Sequence, residues 1–400
     1  MTIGVCGPVD LNILEWELKG TNFPVTNAFP LTSHFINALV SRGFKVIAYT
    51  NSGAIDQPLA YETENLKVYV TQQLPQPGRR FFKFEIDELK NKITQHPADF
   101  IVAFWSYEYA AAALKTGIPT VVSLHDVALQ ILKNHRDVFR LVRWCINYYV
   151  VTKAKHLIAN SEYTYAQLSK KEKIKTRTIA NFYPHDLETS VSKPVEKGNY
   201  LITTSMGFGR RKNVHQALRA FAILRKRFPT LEYQLLGAGM EENGEAHQFA
   251  RKHNLEDGVL FLGHLPFDEV LQRIAAAKVL LHPSREESFG MVVLEAMVTG
   301  TAVVAGKKSG FIPHLLNYGK AGLLCDILSP EDIANNVAKL LVDKSLREEL
   351  VNNARIYAKN NYSEEVIINK HLEFYSQILG KPVVPDRRSL NELPEVHLKA

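Results

Sequence analysis

The stretch Leu281-His-Pro-Ser-Arg-Glu-Glu287-Ser-Phe-Gly290-Met-Val-Val-Leu-Glu295-Ala-Met-Val-Thr-Gly300 decides how this chain of 400 residues is read. Residues 280–282 close an apolar run of strand length, and 283–287 form a polar loop. From Ser288 the pattern turns helical, with Val292, Val293, Leu294, Ala296 and Met297 apolar, and it stops at Gly300. A strand that feeds a helix through a short polar loop leaves backbone N–H groups without acceptors at the helix start, which suits an anion. Glu287 precedes the helix and Glu295 lies about two turns into it, roughly 8–12 Å away at ~1.5 Å per residue. That separation is too long for a shared proton and suits two grips on one elongated ligand. Three readings of the pair stay open at this point. It is a glycosidase acid/base pair, which needs about 5–10 Å across one bond. It is a solvent-facing pair, with Glu295 on the helix surface. Or Glu295 accepts two hydroxyl hydrogen bonds from a ribose.

Outward from this stretch the chain alternates. In the second half, strand-length runs at 201–205, 233–236, 259–262, 279–282, 302–305 and 323–325 are separated by helical spacing at 213–227, 243–253, 267–276 and 290–299. Helices at 330–342, 345–359 and 363–379 close it. In the first half, runs at 3–6, 46–49, 68–70, 100–104, 121–124 and 157–159 alternate with helical segments at 32–42, 85–95, 106–116 and 136–155. The alternation predicts βαβ units around parallel sheets. The length predicts two domains. Residues 184–199 are polar, aperiodic and contain two prolines, and read as the linker. The expected division is 1–190 and 196–362, with a helix at about 363–380 crossing back to the first domain and a tail at 381–400. The irregular 8–30 is long for a loop, which hints at function. Ligands of such domains bind at the carboxyl ends of the strands.

The formal net charge of +7 favours an anionic partner. Three scattered cysteines, with no Cys-x-x-Cys, fit a reducing compartment. The N-terminus lacks a basic n-region, and no run reaches the ~18 apolar residues of a membrane span. A cytoplasmic protein is expected, with peripheral contact at the inner face of a membrane as its furthest reach. The basic-aromatic run at 79–84 and the basic run at 170–177 read first as solvated surface, with anionic lipid as the functional alternative. Residues 136–155 read as a core helix. Nucleic acid is not expected: the cations are dispersed and no recognition motif is present.

The expected second sheet carries small, cationic or acidic groups at four successive strand ends. The first is followed by Gly207-Phe-Gly209-Arg210-Arg211-Lys212-Asn213, where cations at a strand-to-helix turn suit phosphate. The second ends in Gly237-Ala-Gly239, but Glu242 breaks the dinucleotide fingerprint and removes the main support for a dehydrogenase. The third ends in Gly263-His264, and the fourth leads into 281–300.

The run 283–297 resembles the Glu-x7-Glu motif of retaining nucleotide-sugar glycosyltransferases of the GT-B fold. The similarity extends to 259–264, which looks like the family's Val-x-Phe-x-Gly strand, to Arg211-Lys212-Asn213, and to 319–325. It is densest from about 200 to 380; in the first half it rests on 121–126 and 159–161. The resemblance implies an α/β protein with two Rossmann-like βαβ domains facing across a cleft, the first holding the acceptor and the second the donor. It implies that Glu287 contacts sugar hydroxyls, that Ser288, Phe289 and Gly290 offer backbone N–H groups, and that Glu295 binds the ribose. Arg211 and Lys212 would neutralise the diphosphate, and His125 would sit near C6 of the sugar or the reacting bond. No cofactor and no metal are implied, and the chain has no Asp-x-Asp motif. The expected partners are a nucleotide-sugar donor and a glycan, lipid-linked or small-molecule acceptor. The alternatives are a nucleotide-binding protein of this fold without transfer, or a basic nucleic-acid binder. Three segments depart from the family pattern: Gly20-Thr-Asn-Phe-Pro-Val-Thr-Asn27 replaces a Gly-Gly loop, Gly209-Arg210-Arg211-Lys212 is compressed, and Phe311-Ile-Pro-His314 follows Gly310 where a Glu is common.

Overall fold

The structure is a computed structural model that describes residues 1–385 apart from Glu17, 19–21, His135 and 191–194. From residue 386 the expected tail lies outside the described residues, as do the middle of the expected linker and part of the loop at 8–30. The chain divides into two compact units. The first is Met1–Ala180 together with the chain from Ile367, and the second is Asn181–Val366.

Among the described residues of the first unit, eight strands form one sheet. They are β1 (Thr2–Cys6), β2 (Lys45–Ser52), β3 (Leu59–Glu62), β4 (Leu66–Gln72), β5 (Phe100–Phe104), β6 (Thr120–Leu124), β7 (His156–Ala159) and β8 (Thr176–Thr178). Their order is β3-β4-β2-β1-β5-β6-β7-β8. Every pairing is parallel except β3 with β4. The central strands are buried along their whole length, as a sheet covered on both faces requires, so they read as unbroken apolar runs. The edge strands β3 and β8 escaped the sequence reading. Leu59-Ala-Tyr-Glu62 and Thr176-Arg-Thr178 are short and half exposed.

The expected helix at 136–155 is Val138–Lys153, capped at its start by Asp137, whose side chain accepts from the Arg140 N–H. A separate helix, Ala128–Asn134, precedes it. The reading of this segment as core is half corrected. Val142, Ile146, Val150 and Val151 are buried, while Val138, Leu141, Tyr148 and Tyr149 are exposed. Within the basic run 170–177 one residue has a structural role: Lys175 Nζ donates to the carbonyls of Val151, Thr152 and Ala154 at 2.7, 3.1 and 2.6 Å, capping that helix at its end.

The second unit contains β9 (Tyr200–Thr204), β10 (Glu232–Leu236), β11 (Val259–Gly263), β12 (Val279–His282), β13 (Ala302–Gly306) and β14 (Leu323–Cys325). All are parallel, in the order β11-β10-β9-β12-β13-β14. The order reverses between β9 and β12. β9 pairs with β10 along its full length but with β12 only at Leu201–Val279 and Ile202–Leu280. Beyond those pairs the backbone ladder stops and the strands begin to part, with only the Thr203 hydroxyl still donating across to Leu281 O (2.5 Å), at the switch point where ligands of doubly wound sheets bind.

The linker expectation is corrected. Residues 185–190 form a helix, and Tyr183 bridges to Ser363 while its N–H donates to Tyr362 O at 3.2 Å. Residues 181–190 therefore pack within the second unit, and the division falls after Ala180. At the other end, the helix Glu364–Leu379 carries Ile367, Ile368, His371 and Tyr375 into the core of the first unit. The His371 ring lies 5.2 Å from Phe35, and the Tyr375 ring 5.0 Å from Phe100.

Candidate active site

Two loops meet where β9 and β12 part. The turn after β9 ends in Asn213, whose φ of +60° is the left-handed conformation that Asn tolerates best among residues with side chains. Its Nδ2 donates to Pro283 O (3.0 Å) and Ile327 O (2.8 Å), and its Oδ1 accepts from Arg285 Nε (3.1 Å). The Arg285 N–H donates in turn to Arg211 O (2.8 Å). This clamp fixes Arg211 and Lys212 against the loop after β12. Lys212 Nζ lies 2.6 Å from Glu287 Oε1, and His282 Nε2 lies 3.4 Å from the same oxygen. Arg211 Nη1 donates to Glu286 O (3.3 Å) and stands 4.0 Å from Glu287 Oε2. Arg210 points to solvent, so Arg211 is the arginine of the turn that reaches the site.

Glu287 is well buried. Burial alone would push its carboxyl up, but the Lys212 charge, then the His282 contact, then Arg211 outweigh it and hold the group well below the usual carboxylate range. The sequence reading gave Glu287 and Lys212 separate tasks; the structure joins them in one ion pair. It missed His282 altogether. As the last residue of an apolar run, His282 gave no signal beyond its strand-end position.

The helix Met291–Thr299 begins immediately behind this pair. Gly290 precedes it at φ +101°, no side chain caps it, and its first turn holds no acidic residue. Its orphan N–H groups and the positive end of its dipole therefore remain available to an anion. Ser288 is half buried in the approach to this turn. The Phe289 ring is buried, 5.3 Å from Phe311 and edge-on to Tyr362 at 5.6 Å, so only its backbone remains for a ligand. Phe311 also donates its N–H to Glu287 O at 3.0 Å. Gly310, at φ +62°, is pressed against that backbone: a Cβ there would stand 2.1 Å from Glu287 O. Gly310→Ala is therefore expected to lower stability by about 2–4 kcal/mol, read as a fall in the urea midpoint. Because the obstacle is the Glu287 backbone, nucleotide binding should fall with it.

Glu295 sits in the same helix under the opposite conditions. Val293–Thr299 are all buried, so the helix-surface reading is corrected. Among the described residues no group donates a hydrogen bond to the Glu295 carboxyl. Burial, with no cation to offset it, pushes its pKa up to about 7. Two carboxylates eight positions apart are thus driven in opposite directions by their surroundings.

The neighbouring strand ends close on one another. Gly237, at φ +107°, leaves no room for a side chain, because a Cβ would lie 2.1 Å from Ser205 O. Its N–H donates to Gly263 O (2.6 Å), and the Gly207 N–H donates to Ala238 O (2.9 Å). The glycine-rich turns after β9 and β10 thus form one edge with the end of β11.

His125 belongs to the first unit and follows β6. Its ring stacks on Phe104 (5.1 Å, 9°) and meets Phe29 edge-on at 5.3 Å. Asn160 Nδ2 donates to its carbonyl at 3.3 Å. Asp126 accepts from the Tyr107 hydroxyl at 2.8 Å, and the Arg143 guanidinium covers the Tyr107 ring at 3.8 Å. Phe29 ends the irregular loop at 8–30, so that loop closes beside His125. Among the described residues no cluster of three or more His, Cys, Asp or Glu side chains is suited to a metal ion. No helix among them is long and apolar enough to cross a membrane.

Known proteins match both halves. The model for glycosyl transferases group 1 matches residues 187–357, and that for glycosyltransferase family 4 matches 31–187. N-acetyl-alpha-D-glucosaminyl L-malate synthase of Bacillus anthracis is 27% identical over 271 residues, 66% of this chain and 68% of that protein. D-inositol 3-phosphate glycosyltransferase of Corynebacterium urealyticum is 33% identical over 183 residues, 44% of this chain and 42% of that protein. Among solved structures, sucrose-phosphate synthase from Thermosynechococcus elongatus superposes with a TM-score of 0.73 at 20% identity, covering 95% of this chain and 99% of that one. HepE of Anabaena, solved in complex with UDP, gives 0.67 at 20% identity, covering 94% and 100%.

Proposed function

The chain belongs to the glycosyltransferases of the GT-B fold, and from that premise we propose that it moves a hexosyl group from a nucleoside diphosphate sugar to a hydroxyl of a glycan, lipid-linked or small-molecule acceptor, with retention and without a metal. The observation that carries this reading is the Lys212–Glu287 pair, with Arg211 beside it, in front of an uncapped helix start at the point where β9 and β12 part. When the bond from the anomeric carbon to the phosphate oxygen breaks, its electron pair stays on the diphosphate. Fixed cations and a helix N-terminus stabilise that developing charge. The acceptor oxygen bonds to the same face of the anomeric carbon, and its proton passes to the departing phosphate oxygen. Glu287 Oε2 faces sugar hydroxyls while Lys212 occupies Oε1. The backbone of Ser288, Phe289 and Gly290 serves the phosphates, and Glu295 takes the ribose hydroxyls. His125 is assigned a contact with the transferred sugar, and the first unit the acceptor. A UDP-sugar is the first donor to try, since the HepE structures contain UDP and UDP-glucose.

The test is a thermal-shift and slow-hydrolysis panel over UDP-, GDP- and ADP-sugars in the presence of a chelator. One donor series is expected to raise the melting temperature and to be hydrolysed slowly. Stabilisation by none of them would remove the donor-site reading. Stabilisation without any turnover would favour a binding protein of the same fold, and salt-sensitive DNA binding with no donor response would favour the nucleic-acid alternative.

A further inference from the structure

We propose that the outer face of the helix Val138–Lys153, with the turn Pro77–Arg80 beside it, docks on an anionic lipid bilayer. The helix is apolar on both sides. Val142, Ile146 and Val150 face the core, while Val138 (76% exposed), Leu141 (46%) and Tyr148 (63%) recur at helical spacing on the outside. The turn extends this surface. Gly78 packs so closely on Phe139 that a Cβ there would lie 2.7 Å from its ring. Phe81 and Phe82 both have positive φ, 53° and 54°, which aromatic residues rarely adopt. That pair of conformations leaves Phe82 buried and Phe81 62% exposed.

Charge decides the occupant. Arg79, Arg80, Lys133 and Arg136 are exposed around the apolar stripe, and among the described residues none of them has an acidic partner. Two acids on the adjoining segments are already engaged: Asp137 by Arg140 at 3.0 Å, and Asp87 by Lys83 at 2.5 Å. Tyrosine and phenylalanine flanked by unpaired cations match the interface of an anionic bilayer, where rings sit at headgroup depth and each cation adds attraction. A protein partner or a second copy would be expected to meet acids as well as cations. The placement is also informative. The turn follows the end of β4, and the helix begins after the loop that leaves β6, so the start of the helix and the turn lie at the carboxyl edge of the sheet that also carries His125.

The experiment is vesicle co-sedimentation of the whole chain with phosphatidylglycerol and phosphatidylcholine in equal parts, against phosphatidylcholine alone. The expected result is sedimentation with the anionic vesicles only, weakened by salt. Arg79→Glu with Arg80→Glu is expected to lower partitioning about twentyfold or more. Leu141→Glu with Tyr148→Glu is expected to lower it at least about tenfold. All four positions are exposed, and none belongs to the donor site, so the nucleotide-induced thermal shift stays unchanged in both variants. Failure to sediment with anionic vesicles would overturn the proposal and leave the donor-site reading intact. So would sedimentation undiminished in both variants. A dimer in sedimentation equilibrium that Leu141→Glu dissolves would assign the face to a second copy and overturn it equally.

Discussion

Lys212→Ala is expected to lower sugar transfer by about two to three orders of magnitude. Two losses combine. The first, on the proposed reaction, is a cation where the diphosphate charge develops. The second is the partner of Glu287, since Lys212 Nζ stands 2.6 Å from its Oε1 and both side chains are mostly buried. Removing one member of a buried pair leaves the other desolvated and uncompensated, and this costs about 3 kcal/mol. The pH dependence carries the signature. In the native chain Glu287 is depressed, so the stability it contributes is present above the ordinary carboxylate range and is lost only as pH falls far below it. Without Lys212, the strongest of the contacts that oppose burial is gone, and the carboxyl moves up. The variant should therefore lose stability at mild acidity, where the native chain does not. Nucleoside diphosphate release measures the first effect, and melting temperature against pH the second. Activity within tenfold of the native chain would remove Lys212 from the site.

Glu295→Gln is expected to do two opposite things: stabilise the unliganded protein and weaken nucleotide binding. Its carboxyl rises from 4.5 to about 7 on folding. The folded protein therefore holds a proton that the unfolded chain releases. The associated stability is fully present below pH 4.5 and is lost as pH rises through about 7, an integrated difference of about 3 kcal/mol. A glutamine removes that loss while keeping part of the burial penalty of a polar group, so a net gain of about 1–2 kcal/mol is expected at pH 8. On the proposed ribose role, the same change deletes charge-assisted hydrogen bonds to the nucleotide, weakening its affinity about tenfold to a hundredfold. In the native chain affinity should rise between pH 6 and 8 as Glu295 ionises; in the variant it should stay flat. Unchanged affinity in Glu295→Gln would show that the ribose is held elsewhere.

The alternation of apolar runs and helical spacing made both sheets legible, because buried parallel strands are written locally. The Glu-x7-Glu spacing was legible for the same reason: one loop and one helix hold both residues. What escaped depends on distant neighbours. The Lys212–Glu287 pair joins positions 75 apart in sequence. His282 gains meaning only when the loop after β12 folds back over it. Gly310 looks like any turn glycine until the Glu287 carbonyl is found against it. Glu295 was read partly as a surface residue because a carboxylate in an apolar run usually marks an exposed face. Here the helix is enclosed, and the exception is the functional hint. The outward apolar stripe at 138–149 was misread in the opposite sense, since hydrophobic residues do not state which face they occupy.

The helix Glu364–Leu379 has a consequence for biosynthesis. His371 and Tyr375 fill space against Phe35 and Phe100, so those two rings wait for partners made much later in the chain. The second unit is one continuous segment and can mature as it leaves the ribosome. The first, although translated earlier, stays unfinished until the helix Glu364–Leu379 has been made. In vectorial synthesis the order of completion is then the reverse of the order of translation, and a chain stalled before Ile367 would display an open core to chaperones and proteases.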